Sequence, residues 1–310
     1  MSENILVSEI QRLRQELGAV ILAHFYQEPA IQDVADHVGD SLFLAQRAAE
    51  TEAEVIVFCG VHFMAETAKI LNPGKLVLVP DLSAGCSLAD GCPADEFAAW
   101  RARYPDHKVV TYINCSAATK AQADVICTSS NAVKVVESFP ADQPLIFAPD
   151  RFLGRWVAEQ TGRDLVLWHG SCEVHEVFSA IRLEELREEH PDAKVAAHPE
   201  CPGLILDQAD HVGSTSSILA YARRDDIQKL IVVTEPGILH QMQKENPGKT
   251  LLEAPGADET CSCNLCPHMR KNTMEKLRDC MLNRAPSLEV DADLITRSLV
   301  PLERMLDLSR

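Results

Sequence analysis

The sequence predicts an α/β protein built from three similar parallel-sheet domains around a pseudo-threefold axis. A polar signature occurs three times, as A-H-F-Y-Q from Ala23, Y-I-N-C-S from Tyr112 and H-P-E-C-P from His198. A second signature follows each, as A-D-H-V-G-D-S, A-D-V-I-C-T-S-S and A-D-H-V-G-S-T-S. The two signatures lie 12 residues apart in every copy: His24 to Asp36, Tyr112 to Asp124 and His198 to Asp210. A constant period of this kind indicates an internal triplication.

Each copy is predicted to alternate short strands with helices. In the first copy, a pattern of helical spacing begins near Ile5 and ends at Gly18. Continuous β-rich runs follow at 20–23, 54–58 and 75–79, and the second signature supplies a shorter one. Runs without alternation are typical of strands that are buried on both faces. Strand–helix–strand order with short links therefore predicts a parallel sheet of about four strands in each copy.

The repeat period sets the domain boundaries. We expect repeats at 1–86, 87–172 and 173–266, with no long linker between them. The tail at 267–310 has a helical pattern, and we expect its helices to pack on the first repeat.

Composition excludes several classes of partner. The chain has 310 residues and a net charge of −17, which argues against nucleic acid and anionic membranes as partners. Its apolar runs are too short to span a bilayer, and its first residues lack the pattern of a signal peptide. We therefore expect a cytoplasmic protein. Small anionic substrates stay possible, because backbone N–H groups and helix ends can make a site locally positive.

Polar side chains follow the first strand of each copy. They form equivalent pairs, and ligands of parallel sheets bind beyond these carboxyl ends. The pairs are His24 with Tyr26, Tyr112 with Asn114, and His198 with Glu200.

Hydroxyl side chains end the second signature of each copy, at Ser41, Ser129 and Thr215, and Ser214 adjoins the last. One such hydroxyl alone is best explained as a helix N-cap. Three equivalent hydroxyls near three polar pairs instead predict one pocket of hydrogen-bond donors, suited to a substrate with several carboxylates or a phosphate.

Each copy also ends in a loop with cysteine. Cys86 and Cys172 are 86 positions apart, one period, and the third copy offers Cys261, Cys263 and Cys266. Three thiolates can hold a 4Fe–4S cluster and leave one iron open as a Lewis acid. A structural zinc site is the alternative, but it usually needs four ligands in paired short spacings. The repeats give five other cysteines no role as metal ligands, and these are expected to pack in the core: Cys59, Cys115, Cys127, Cys201 and Cys280.

These segments together resemble the quinolinate synthase family of NAD biosynthesis across nearly the whole chain. The matching motifs include F-M-A-E-T-A-K-I-L-N-P, Y-I-N-C-S-A-A-T-K-A, T-E-P-G-I-L-H and C-x-x-C-P-H-M-x-x-N-T. The resemblance implies three α/β domains around one 4Fe–4S cluster. It also implies condensation of iminoaspartate with dihydroxyacetone phosphate to give quinolinate, phosphate and two waters. An aspartate-oxidising enzyme is the implied source of iminoaspartate, and the chain is expected to be a monomer or homodimer.

The resemblance also assigns roles to the residues that the repeats select. Tyr26 and Glu200 resemble a proton-transfer pair, with His198 beside them. The implied cluster ligands are Cys86, Cys172 and Cys266. The implied substrate-binding residues are His24, Ser41, Tyr112, Asn114, Ser129, His198, Ser214 and Thr215.

The third cluster ligand is where two arguments disagree. Repeat spacing favours Cys261, because Lys75 to Cys86 is 11 residues and Lys249 plus 11 is position 260. Pro267, however, predicts a helix from His268 that Cys266 would cap, and a helix N-terminus stabilises a thiolate. Family motif and local chemistry therefore favour Cys266. The roles of Cys261 and Cys263 stay open, because position 260 is Thr where some family members have Cys.

Two other classes of function remain alternatives. A different cluster-dependent hydro-lyase would use the same open iron on another hydroxy acid. A non-enzymatic iron–sulfur sensor or carrier would need neither an open iron nor a ring of polar residues.

Overall fold

Three separate four-stranded parallel sheets form the backbone of the chain in a computed structural model, which describes residues 3–257 and 264–310. In each sheet the spatial order is second, first, third and fourth strand. This identical topology confirms the predicted triplication of one α/β unit. Strand–helix–strand connections within one sheet account for the parallel pairing.

The strands of the three sheets have closely matching lengths. The first sheet contains β1 (Ala19–His24), β2 (His37–Gly39), β3 (Val55–Cys59) and β4 (Leu76–Leu78). The second contains β5 (Lys108–Tyr112), β6 (Val125–Cys127), β7 (Leu145–Ala148) and β8 (Leu165–Leu167). The third contains β9 (Lys194–Ala197), β10 (His211–Val212), β11 (Lys229–Val233) and β12 (Thr250–Glu253). The central third strands β3 and β7 are buried along their whole length, as their unbroken apolar sequences predict.

Helices connect the strands and cover the sheets. Those of the first repeat are α1 (Glu3–Leu17), α2 (Pro29–Val34), α3 (Ser41–Glu50) and α4 (His62–Leu71). Those of the second are α5 (Ser87–Asp90), α6 (Ala94–Arg101), α7 (Ala117–Lys120), α8 (Ala132–Glu137) and α9 (Arg151–Thr161). Those of the third are α10 (Ala180–Glu189), α11 (Gly203–Leu206), α12 (Thr215–Ala222) and α13 (Ile238–Glu245). Gly18 ends α1 with a φ of +56°, a conformation that glycine adopts without strain.

The aspartate shared by the second signatures has a structural role. In each copy its carboxylate accepts a hydrogen bond from the backbone N–H of a residue near the start of the first strand. The pairs are Asp36 with Ile21 at 2.8 Å, Asp124 with Val109 at 2.8 Å, and Asp210 with Val195 at 2.9 Å. This bond fixes the segment that enters the second strand, which explains the constant spacing of 12 residues between the signatures.

The C-terminal tail contains α14 (Met274–Asn283) and α15 (Ala292–Leu308). Helix α14 packs on α1 of the first repeat, whereas α15 packs on β6 and α7 of the second. Leu302 and Met305 of α15 are buried in an apolar cluster that spans the first two repeats. The tail therefore contacts two of the three repeats rather than the first alone.

The repeats contact one another near the strand ends. Phe25, directly after β1, packs in an apolar cluster with Ile218 and Val232 of the third repeat. These contacts bring the end of β1 close to the end of β11. Among the described residues, no helix combines the length and apolarity needed to cross a bilayer.

Candidate active site

The carboxyl ends of all three sheets meet at one cavity. Of the selected site residues that the structure describes, all but Ser214 line this cavity. Those lining it are His24, Tyr26, Ser41, Cys86, Tyr112, Asn114, Ser129, Cys172, His198, Glu200, Thr215 and Cys266. The three copies therefore bring their polar residues to a common place.

Ser214 instead has the N-cap role that was the alternative for the hydroxyls. Its side chain is buried and accepts a hydrogen bond from the Ser217 N–H at 3.3 Å. Thr215 and Ser41 stand one position later, at the first residue of α12 and α3. Asp40, not Ser41, caps α3 by accepting from the Phe43 N–H at 2.9 Å. Because Asp40 caps α3 and Ser214 caps α12, the Ser41 and Thr215 hydroxyls are not used as caps.

Three thiols converge on the cavity, one from each repeat. Burial, and then the nearby thiol of Cys266, raise the pKa of Cys86, while burial, Glu200 and then Cys86 raise that of Cys172. Burial also raises the pKa of Cys266 to about 11. All three thiols line this same cavity.

Backbone N–H groups oppose this effect at each thiol. Those of Leu88 and Ala89 lower the pKa of Cys86, and those of His268 and Met269 lower the pKa of Cys266. The prediction of a helix directly after Cys266 is wrong. A 3₁₀ turn, Met269–Lys271, follows it, and the next helix, α14, begins only after its cap Thr273. The N–H groups that the prediction required are nevertheless present at the thiol. Cys261 and Cys263 lie outside the described residues.

The surroundings of these thiols suit metal-bound thiolates better than free thiols. Burial disfavours their ionised form, but the N–H donors are oriented to stabilise it, and metal binding deprotonates a thiol outright. Cys172 also lies beside His175 and Glu200, and the three ligand atoms are all within 4.8 Å of one another. The five cysteines expected in the core are indeed buried free thiols, at Cys59, Cys115, Cys127, Cys201 and Cys280.

Glu200 is the carboxylate at the centre of the site. Its Oε2 lies 2.7 Å from His175 Nδ1 and 3.7 Å from His198 Nδ1. Burial alone would raise its pKa, but hydrogen bonds from His175 and Tyr112 outweigh burial and lower it. Glu200 is therefore ionised at neutral pH although its side chain is almost wholly buried.

His24 and His198 occupy equivalent places and have the same local geometry. The Nδ1 atom of each lies within reach of the backbone N–H two residues later, at 3.2 Å from Tyr26 N and 3.4 Å from Glu200 N. Burial lowers the pKa of His24 to about 4 and that of His198 to about 3. Both imidazoles are thus neutral, and with Nδ1 as acceptor each has its proton on Nε2. The Nε2–H of His198 points to Ser129 Oγ, 3.2 Å away.

A chain of hydrogen bonds joins Tyr26 to Glu200. The Tyr26 hydroxyl lies 2.6 Å from Thr234 Oγ1, and Thr234 Oγ1 lies 2.9 Å from His175 Nε2. His175 Nδ1 then donates to Glu200. In a neutral His175, Nδ1 donates to the carboxylate and Nε2 accepts, so the donors run from the tyrosine through the threonine and the imidazole to the carboxylate.

Comparison with known proteins decides the family. Residues 8–307 match the model of the family described as quinolinate synthetase A protein. The chain belongs to this family.

Curated relatives agree over almost the full length. A protein named quinolinate synthase from Thermosynechococcus vestitus is 63% identical over 304 residues, which covers 98% of this chain and 95% of the relative. Proteins of the same name from Synechococcus sp. and from Prochlorococcus marinus strain MIT 9303 are 60% and 59% identical, over 98% and 96% of this chain and 95% and 90% of theirs. Membership of the quinolinate synthetase A family makes the chain an enzyme.

The site of this family member contains residues that sequence reasoning missed. His175 lies in the loop three positions after Cys172, and this short Cys–His spacing was a usable signal. Thr234 and Glu235 follow β11, and Asp150 follows β7 closely. The strand-end rule, applied to the third strand of each copy as well as the first, would have found all three.

Proposed function

We propose that the chain is a quinolinate synthase that condenses iminoaspartate with dihydroxyacetone phosphate. The products would be quinolinate, phosphate and two waters, and these atoms balance without an oxidant or reductant. The observation that supports this most is the cavity in which three thiols meet a ring of imidazoles and hydroxyls and the ionised carboxylate of Glu200. It would serve the synthesis of NAD.

Cys86, Cys172 and Cys266 would hold a 4Fe–4S cluster, one thiolate from each repeat. When bound, the cluster would supply a Lewis-acidic iron at the corner that has no protein ligand. Their common cavity and the N–H donors at Cys86 and Cys266 support this assignment.

Neutral donors would bind the two anionic substrates. The Nε2–H groups of His24 and His198 and the hydroxyls of Ser41, Ser129 and Thr215 can all donate to carboxylate or phosphate oxygens. The N-termini of α3 and α12 add partial positive charge at Ser41 and Thr215. Tyr112 and Asn114 line the same cavity, and Asn114 Oδ1 has no partner among the described residues. Ser214 would act indirectly, by capping the helix that carries Thr215.

Glu200 and Tyr26 would move protons. Tyr26 has its pKa raised by burial and by Glu200, so it stays protonated and donates. Each proton that Tyr26 passes to Thr234 can travel through His175 to the carboxylate of Glu200, while the tyrosine oxygen accepts another from substrate. Glu200 therefore has the role of final acceptor, with His198 beside it as an Nε2–H donor.

Anaerobic reconstitution followed by a quinolinate assay tests the proposal. We expect about four iron and four sulfide per chain and formation of quinolinate from both substrates. Stoichiometric zinc without iron would contradict the cluster. A cluster-loaded chain that dehydrates another hydroxy acid but forms no quinolinate would favour the alternative hydro-lyase, and one with no activity would favour a sensor.

We also propose a cytoplasmic enzyme, because the nine described cysteines are all free, as in a reducing compartment. Iminoaspartate would come from an aspartate-oxidising enzyme, since oxidation of an amine gives an imine. We expect a monomer or a homodimer.

A further inference from the structure

The turn T-E-P-G follows β11 and contacts two parts of the site: the proton-transfer residues and the segment that carries Cys266. Its first residue, Thr234, contacts Tyr26 and His175 through the hydrogen-bond chain described above. Its second residue, Glu235, extends in the other direction, toward the segment that carries Cys266. The turn therefore joins the proton-transfer residues to the segment of a metal-binding thiol through two successive residues.

Glu235 is wholly buried, with no exposed side-chain surface. Its Oε2 accepts from the Gly237 N–H at 2.7 Å. Its Oε1 accepts from Arg270 Nη2 at 2.9 Å and from the Cys266 N–H at 3.4 Å. A buried carboxylate is costly unless all its partners are in place, and both oxygens here have partners.

Arg270 closes a ring around this contact. Its side chain binds Glu235, while its backbone N–H donates to the Cys266 carbonyl oxygen at 3.2 Å. Glu235 thus accepts from the Cys266 N–H, and Arg270, which pairs with Glu235, donates to the Cys266 carbonyl oxygen. This arrangement fixes the backbone from which the thiol projects.

The same turn also fixes the backbone of Tyr26. A Cβ atom on Gly237 would lie 2.8 Å from Tyr26 Cα and 2.9 Å from the Phe25 carbonyl oxygen, so only glycine fits there. Gln32 Nε2 donates to the carbonyl oxygens of both Phe25 and Gly237, each at 2.9 Å. Tyr26 and Cys266 are therefore positioned from one rigid turn.

We propose that Glu235 is a positioning residue that holds the Cys266 thiol in register with Tyr26 through the Cys266 N–H and Arg270. It touches neither substrate nor metal. The proposal deepens the proposed function, because it assigns what places the third cluster ligand, and its test does not need that function to be right.

The test measures how fast iodoacetamide alkylates each of the three site cysteines in the metal-free chain. Peptide mass spectrometry separates Cys86, Cys172 and Cys266 in one sample. In Glu235→Leu, which removes both acceptors, we expect Cys266 to react about tenfold faster or more than in the unmodified chain. Cys86 and Cys172 should change less than twofold, because neither contacts Glu235. Glu235→Gln should lie between, since an amide keeps one oxygen.

A control and a second variant separate positioning from loss of fold. Glu66→Gln changes another carboxylate that accepts a backbone N–H, from Ala117 at 2.9 Å, and should leave all three rates unchanged. Arg270→Gln keeps Glu235 but removes its charged partner, and should expose Cys266 selectively. A similar rise at all three cysteines would mean general destabilisation and would overturn the proposal, as would unchanged reactivity of Cys266.

Anaerobic reconstitution gives a second readout that needs no turnover. We expect Glu235→Leu to lose iron to a chelator about tenfold faster than the unmodified chain, and an equal rate in both would count against the proposal. If the unmodified chain takes up iron and forms quinolinate while Cys266 is indifferent to Glu235, this inference alone fails. If Cys266 responds but no quinolinate forms, the proposed function alone fails.

Discussion

The hydroxyl oxygens of Tyr26 and Thr234 lie 2.6 Å apart, although 208 residues separate them in the sequence. The contact joins the first repeat to the third. In a neutral His175, Nε2 accepts the Thr234 proton, so the Thr234 oxygen is left to accept from Tyr26.

Replacing Thr234 tests this path. Thr234→Val keeps the shape but has no hydroxyl, so we expect the turnover number for quinolinate formation to fall about 10–10²-fold with normal cluster content. Thr234→Ser restores the hydroxyl and should recover most of the loss. Equal turnover in the valine and serine variants would remove Thr234 from proton transfer.

Glu200→Gln removes the acceptor at the end of the path. We expect turnover to fall by about 10²–10⁴, because the neutral amide cannot take up a proton. Iron and sulfide content should be unchanged, which metal analysis of the same sample will show. Near-normal turnover would contradict the role assigned to Glu200.

The third prediction concerns the cysteines that would bind the cluster. Cys86→Ala, Cys172→Ala and Cys266→Ala should each lose the brown chromophore and activity under anaerobic conditions, because a cluster needs all three thiolates. Cys261→Ala and Cys263→Ala should each keep the cluster. If Cys261→Ala abolished the chromophore and Cys266→Ala retained it, the argument from repeat spacing would be right after all.

Acid should destabilise the fold before the carboxylates titrate. Burial lowers the pKa of His24 to about 4 and of His198 to about 3, whereas both titrate near 6.5 when unfolded. Between these values the unfolded chain binds more protons, so the free energy of unfolding falls as pH falls below about 6.5. From pH 7 to 5 each histidine should cost on the order of 2 kcal/mol.

Urea denaturation of the metal-free chain at pH 7 and pH 5 measures this loss. His24→Asn should show a smaller difference between the two pH values, because one buried imidazole is gone. An undiminished difference in that variant would mean that His24 is charged in the folded chain.

Asp150 provides a test of stability. Burial and then Glu200 raise the pKa of this carboxyl well above its usual range, which favours its neutral form. It also caps α9 by accepting from the Leu153 N–H at 2.7 Å. Asp150→Asn keeps the cap and should leave the urea midpoint nearly unchanged, whereas Asp150→Ala should lose about 1 kcal/mol. A large loss in the asparagine variant would show that the carboxyl is ionised.

The repeats explain how far the sequence could predict this molecule. His24, Tyr112 and His198 share one place in three aligned copies, so the comparison of copies located the cavity without any structure. Asp150 and Glu235 share another place, two residues after the third strand of their copies. The first copy has Gly60–Val61 after that strand, and unlike residues leave no repeated signature. A pattern search finds what the copies retain in common and misses what one copy has acquired.

Local capping and tertiary contacts account for the other differences. Pro267 was a sound signal for a helix start, but Thr273 is the better cap, since its side chain accepts from the Lys276 N–H at 3.3 Å. The position of α15 on β6 depends on apolar surfaces of two repeats that the sequence of the tail does not describe.

The triplicated architecture has a chemical consequence. A ring of three identical chains would have to present every cavity side chain three times, including any acid. Because the copies are covalently joined, each has diverged alone: the position two residues after the first-strand histidine or tyrosine is Tyr26 in one copy, Asn114 in the next and Glu200 in the last. Fusion thus permits a lopsided cavity in which only one copy places an acid at this position, as the proposed joining of two unlike molecules in a fixed orientation would require.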